Sequence, residues 1–232
     1  AEPWWWTKPT LQQMSNNAGF FSISDKNLRR FSELMIQDMS SVDILASWLQ
    51  DESRFEKELS NVYKIWLEYL NPYWSENPWS RALEGKKVLV VHPFVDSIQK
   101  QYKKRAFLHK HPQTLPDFDL KTIKAVQGIG GVCNEGFKDW FDAFEYMKAE
   151  INKSNYDICI LGCGAYGFPL AAHVKRMGKK AIHMGGATQM LFGIKGKRWE
   201  DEYGEFMNEH WIRPSKEETP INAMKIENGC YW

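Results

Sequence analysis

A short apolar run at residues 157–161 passes directly into G-x-G-x-x-G, with glycines at Gly162, Gly164 and Gly167. A helical pattern over residues 169–177 follows at once. Glycine lets a chain turn tightly off a strand, brings backbone N–H groups close to a ligand, and opens a helix whose positive end faces it. This arrangement predicts a strand–turn–helix unit with a phosphate-bearing ligand at the turn.

The surrounding pattern extends the unit into a fold. Residues 88–92 form a continuous apolar run of the kind found in buried parallel strands. A helix is expected at 97–108, a strand at 121–127 and an amphipathic helix at 137–152. Strand 157–161, helix 167–177 and strand 180–184 complete the alternation. The expectation is an α/β, Rossmann-like, doubly wound and mostly parallel sheet spanning residues 80–232. Upstream, residues 1–24 read as an irregular arm. Residues 25–79 read as a helical part packed on the core, with helices from Ser24 and Asp25 to Met39, over 41–49 and over 53–69. The charged, aromatic tail after Gly196 reads as loop.

Composition narrows the classes. The formal net charge is +1, so bulk charge implies no nucleic-acid partner. No apolar run approaches the roughly 20 residues of a membrane span, and no signal-peptide pattern is present. Four cysteines, Cys133, Cys159, Cys163 and Cys230, lack zinc spacing, and two sit in or beside the 157–161 strand as buried small residues. This usage points to a reduced, cytoplasmic protein. Eleven tryptophans are the compositional outlier. The Trp4, Trp5 and Trp6 arm offers a docking segment for a second chain or for peripheral contact with a membrane surface, against the plainer reading of a self-packed arm.

Open α/β sheets bind ligands beyond the carboxyl ends of their strands. Those ends carry His92, Gln127, the glycines Gly162, Gly164 and Gly167, and His183 followed by Gly185 and Gly186. A nicotinamide or flavin site wants an acid about 20 residues past the glycines. Here that position holds His183 and no acid, so NAD becomes the lesser reading. His183 and His92 are candidates for a phosphate contact or a general base, against a plain strand-end histidine. His109 and His111 read as solvent-facing, and His173 as packing. Lys195 and Arg198 lie in a glycine-laden loop, and Arg198 presents a planar fork suited to a diphosphate, the alternative being a structural salt bridge. Asp117 and Asp119 match the D-x-D pattern that holds a divalent metal on a nucleotide sugar, but they lie in a loop before a strand. Glu200, beside Trp199, is a candidate base.

Four runs, GKKVLVVHPF at 85–94, GCGAYGFPLAAH at 162–173, GKKAIHMGG at 178–186 and QMLFGIKGKRW at 189–199, carry a family resemblance. With the Cys-Tyr-Trp ending at 230–232, the chain resembles an uncharacterised bacterial family from about Asn16 to its end. That family in turn is similar to glycosyltransferases of the GT-D fold, which build surface polysaccharide or glycoprotein glycans. GT-D enzymes are associated with a D-x-E metal motif in their N-terminal part, and residues 1–84 contain none. The strand-end Asp of their Asp-x-Gly-His pattern falls near His183. The resemblance implies transfer of a sugar from a nucleotide-diphosphate sugar to a glycan or lipid-linked acceptor, with a divalent metal (Mn or Mg) left open.

On that reading Gly162, Gly164, Gly167, Gly185 and Gly186 cradle the diphosphate, and His92, Gln127 and Gln189 line the site. Arg198 and Lys195 stabilise the leaving group, and His183 or Glu200 takes the acceptor proton. Tyr166 or Trp199 stacks on base or sugar. Two other classes remain: a Rossmann-type enzyme using NAD or S-adenosylmethionine, and a non-catalytic, partner-binding or homo-oligomeric protein.

Overall fold

The structure, a computed structural model, describes residues 7–128 and 136–232. The expected residues Trp4, Trp5, Trp6 and Cys133 lie outside the described residues. The main sheet has four strands, β3 (Lys87–His92), β4 (Asp119–Lys124), β5 (Ile158–Leu161) and β6 (Lys180–His183). Their order is β4-β3-β5-β6 and every pairing is parallel. Helix α3 (Val95–Tyr102) links β3 to β4, α4 (Trp140–Lys153) links β4 to β5, and α5 (Gly167–Arg176) links β5 to β6.

The strands alternate their side chains between two cores, as the pleat requires. Leu89, Val91, Cys159 and Leu161 face one side, with α4 and α5. Val88, Val90, Ile158 and Ile160 face the other, with Ile98 of α3 and Phe192, Trp199 and Trp211 from the C-terminal third. Helices thus cover both faces, and the chain runs outward from β3 in one direction and from β5 in the other. This is the doubly wound, Rossmann-like α/β fold. The order reverses between β3 and β5, and in such sheets the ligand crevice lies outside the carboxyl ends at that reversal.

The N-terminal region departs from expectation. Residues 8–16 are helical, not irregular: α1 (Lys8–Asn16) starts at Thr7, whose hydroxyl accepts the Thr10 N–H, with Pro9 in its first turn. The expected helix at 25–39 is present as α2 (Asp25–Met39), with Ser24 as its N-cap. The expected helices over 41–49 and 53–69 are not formed. In their place are two short parallel strands, β1 (Ile44–Ser47) and β2 (Tyr63–Trp66), joined through 3-10 turns. Packing of Phe20 and Phe31 on Trp140 ties the N-terminal region to α4, and an ion pair from Arg176 to the fully buried Asp38 ties α2 to α5.

Smaller differences concern where elements begin and end. Helix α3 ends at Tyr102, not 108, and a 3-10 turn (Arg105–Phe107) completes the segment. Strand β4 begins two residues before the expected 121. The tail after Gly196 contains α6's successor, α7 (Lys197–Tyr203), where α6 is the single turn Thr188–Leu191. Among the described residues, no helix is long and apolar enough to cross a membrane.

Candidate functional site

The carboxyl edge at the β3/β5 reversal is built from His92, the turn after Gly162, and the loop through Gly185 and Thr188. A Cβ placed on Gly162 would come within 2.5 Å of the His92 ring, 2.6 Å of Thr188 Oγ1 and 2.7 Å of the Gly185 carbonyl. Glycine is required there because the His92 ring, the Thr188 hydroxyl and the Gly185 carbonyl fill the space a side chain would take. His92 is buried, and its Nδ1 accepts the Phe94 N–H at 3.0 Å, which leaves the proton on Nε2. Burial pushes its pKa down to about 3, so the ring is neutral.

His183 faces the other way. It lies opposite Leu161 in the β5–β6 register and packs against α5, where a Cβ on Gly167 would meet its Nε2 at 2.2 Å. That nitrogen is buried without a hydrogen-bond partner among the described residues, and burial lowers its pKa to about 4. His92 and His183 therefore stand on opposite faces of the sheet and do not line one cleft together. The period-two pleat separates them, a fact that adjacency at strand ends concealed.

The glycine turn is engaged by its own chain. Gly162 N–H donates to the Val91 carbonyl, Ala165 N–H to Ala18, Tyr166 N–H to Cys163 and Gly167 N–H to Gly164. Gly164 has a φ of +57°, and a Cβ there would also strike the Ala18 carbonyl. Tyr166, an expected stacking residue, is buried with its ring parallel to Trp140 at 4.7 Å. Trp199, the other, is buried beside Tyr231 and closes over Gly186 and Gly196. Both rings are core residues in this arrangement. Gln189 is buried and donates to the carbonyls of Tyr231 and Ile194, while Gln127 stands half-buried just past β4. Gly185, with φ +57°, faces open space.

The C-terminal tail covers the α3 side of this edge, and Glu218 is its anchor. The buried Glu218 carboxylate accepts the Asp96 N–H at 2.8 Å, the Ser97 N–H at 3.2 Å and the Ser97 hydroxyl. It thus sits as an anion on the first turn of α3, where the helix presents unpaired N–H groups and the positive end of its dipole. Sequence reasoning missed Glu218, Ser97 and Thr188. The Ser215-x-x-Glu218 spacing was a legible capping signature, yet its carboxylate also reaches a helix more than a hundred residues upstream.

The expected catalytic charges hold the same tail. Arg198 pairs with Glu227 and donates to the Tyr231 hydroxyl at 3.4 Å. Glu200 pairs with Arg213 at 2.6 Å, and Arg213 also donates to the Trp232 carbonyl. Trp232 packs edge-on against Phe94 and donates its indole N–H to the Glu218 carbonyl. Lys195 is half-buried and has no ion pair among the described residues. From the α5 side the end of α1 reaches the same edge: Asn17 donates to Glu227 at 3.1 Å. An open hollow of about 290 Å³, lined by Pro9, Gln12, Gln13, Asn16 and Asn17, lies beside it.

Other sequence candidates fall elsewhere. Asp117 and Asp119 lie at the amino edge of the sheet, where the Asp117 carbonyl accepts the Gly85 N–H and its carboxylate pairs with Arg105. They cannot serve a ligand at the carboxyl edge. Among the described residues, no three His, Cys, Asp or Glu side chains are grouped to hold a metal ion. His109, expected in solvent, is half-buried, stacked on Tyr73 and donating to the Leu191 carbonyl, with its pKa lowered to about 4 by burial. Cys159 and Cys163 are buried free thiols with pKa values raised by burial, as befits packing residues.

Set against known protein families, curated proteins and solved structures, the chain matches none.

Proposed function

We propose that this protein binds a nucleotide-diphosphate sugar at the carboxyl edge of its sheet and transfers the sugar to a glycan or lipid-linked acceptor. The observation that carries the reading is Glu218. Its carboxylate is an anion held by two backbone N–H groups and a hydroxyl on α3, at the point where the strand order reverses. A diphosphate oxygen can take the same donors, since a helix N-terminus favours any anion.

In this reading the tail is a resident substitute for the donor's phosphate. Lifting residues 213–232 breaks three contacts together: Glu218 on α3, Glu227 on Arg198, and Arg213 on Glu200. The α3 donors are then open to the diphosphate. Arg198, with Lys195 nearby in sequence, is released to stabilise the leaving group's charge, and Glu200 is released to accept the acceptor hydroxyl's proton. His92 contributes an uncharged Nε2–H donor on the same face. A divalent cation on the diphosphate would arrive with the donor.

The test is thermal stabilisation by nucleotide sugars and free nucleotides, with and without Mn²⁺, alongside NAD and S-adenosylmethionine. A donor present at about 100 times its Kd should add about 2.7 kcal/mol of stability. Glu218→Gln should bind it more tightly, because the internal competitor loses its charge. Stabilisation by NAD or S-adenosylmethionine alone would move the protein to a different Rossmann-type chemistry. One observation favours a second, non-catalytic reading: four amides of the glycine turn already donate to the chain itself. Under it, no ligand in the panel stabilises the protein.

A further inference from the structure

Gly186 lies just past β6 and its backbone is not left-handed, so space alone requires glycine there. The space is taken by Tyr231, whose ring a Cβ on Gly186 would strike at Cε1 and Cδ1. Trp199 walls that ring at 5.7 Å between centroids, and the Arg198 guanidinium lies 5.2 Å from its centre. The backbone beside the ring is held too. The Tyr231 carbonyl accepts from Gln189 Nε2 at 3.1 Å, and the Cys230 carbonyl from the Arg198 N–H at 3.0 Å. A planar ring thus rests on a glycine backbone between an indole and a guanidinium, with two N–H donors close by. The turn that delivers it is strained. Glu227, Asn228 and Gly229 are left-handed in succession, with φ of +44°, +57° and +75°, and the Cβ of Glu227 disfavours that backbone. The Glu227 carboxylate is held by Asn17 and Arg198.

We propose that the Tyr231 ring occupies a nucleobase subsite, which takes a base carrying ring carbonyls once the tail lifts. The subsite rests on the reading of the carboxyl edge as a nucleotide-diphosphate site. One tail sets the Glu218 carboxylate on α3 and the Tyr231 ring on Gly186. Trp232 stands between them, hydrogen-bonded to the Glu218 carbonyl and edge-on to Tyr231 at 6.0 Å. The two places follow β3 and β6, which lie two strand spacings apart in the sheet, about 10 Å. An extended nucleoside diphosphate spans such a gap from base to terminal phosphate. With Tyr231 gone, Gly186 and Trp199 leave a flat slot, and indole rings and guanidinium planes both stack on bases. The Arg198 N–H and Gln189 Nε2 lose their carbonyl partners, and they suit a base edge of carbonyl oxygens rather than the amino group of adenine. Gly185, beside the slot, faces open space, so a ligand displaces only the tail. The strained turn favours opening once Glu227 is released.

Calorimetric titration of the full chain with UDP, GDP, ADP and inorganic pyrophosphate tests the subsite. UDP or GDP should bind more tightly than ADP and pyrophosphate. Tyr231→Ala should tighten that nucleotide about tenfold, the worth of one stacked ring, and leave pyrophosphate unchanged. Tyr231→Phe keeps the ring and should bind as the wild type does. Tyr231→Leu keeps most of the packing volume and serves where the alanine variant is unstable; it should tighten the nucleotide by a smaller factor. If pyrophosphate binds as tightly as every nucleotide, and no substitution at Tyr231 changes that, the subsite is overturned while the phosphate site stands. If neither nucleotide nor pyrophosphate binds the wild type or Tyr231→Ala, both readings fall. Weaker nucleotide binding by Tyr231→Ala, or tightest binding of ADP, also overturns the proposal.

Discussion

Gly167 and Gly204 share a helical φ, −59° and −58°, and neither needs glycine for its backbone. Their surroundings decide what an added methyl does. At Gly167 it would meet His183 Nε2 at 2.2 Å, whereas at Gly204 nothing lies within 4 Å. Gly167→Ala is therefore expected to cost about 1–3 kcal/mol through overpacking. Gly204→Ala should be neutral or stabilise by up to about 1 kcal/mol through the unfolded chain. Urea unfolding midpoints of the two variants check both signs. The buried histidines set a pH dependence. His92, His183 and His109 have folded pKa values of about 3, 4 and 4, below the ordinary 6.5. Their contribution is fully present above pH 6.5 and declines as pH falls from there to about 4, because only the unfolded chain takes up protons in that window. Each such histidine removes up to about 1.4 kcal/mol per pH unit. Urea midpoints at pH 7.5 and 5.5 should differ in that direction, and His109→Gln should shrink the difference.

The elements divide by how local their signals are. Strands β3 and β5 were legible because continuous apolar runs between glycine or charged turns have few other homes. Helix α2 was legible from Ser24 and a 3.6-residue apolar period. Strand β2 was not, because Phe55, Leu59, Val62, Ile65 and Tyr69 also fit a helical stripe. The cluster Val62, Tyr63, Ile65 and Trp66 favours an extended chain, and pairing with Ile44 to Ser47, remote in sequence, settles it. Helix α1 has too few apolar residues for periodicity, though Thr7 and Pro9 were usable start signals. Between elements, the Asp38–Arg176 pair is the clearest link. Asp38 is fully buried with one carboxylate oxygen unpartnered, and burial raises its pKa. Arg176→Ala leaves that acid without its cation and should cost about 2–3 kcal/mol, less than for a fully buried pair because the guanidinium is half in water. Chemical denaturation at pH 7 measures it, and lowering the pH should narrow the gap as Asp38 takes up a proton.

At the scale of the molecule, both ends of the described chain converge on the carboxyl edge, with α1 meeting the tail at the Asn17–Glu227 contact. The tail's ion pairs involve side chains roughly 40% exposed, worth at most about 1 kcal/mol each, whereas Trp232 packs on Phe94 and bonds the Glu218 carbonyl. Trp232→Ala should accordingly lower stability by about 2 kcal/mol and Arg198→Ala by under 1, a ranking that thermal unfolding can reverse or uphold. The sequence by itself determined the doubly wound parallel sheet, since apolar runs, helical periods and glycine turns act through near neighbours. It also marked the carboxyl strand ends that carry His92, Gly162, His183 and Gly185. Only the tertiary structure decided how those groups stand toward one another. The pleat sends His92 and His183 to opposite faces, and the amides of Gly162, Ala165, Tyr166 and Gly167 turn inward to Val91, Ala18, Cys163 and Gly164. Glu218 reaches across more than a hundred residues to the start of α3. Hydrogen bonds and packing between distant segments are set by the closed fold, and no local pattern encodes them.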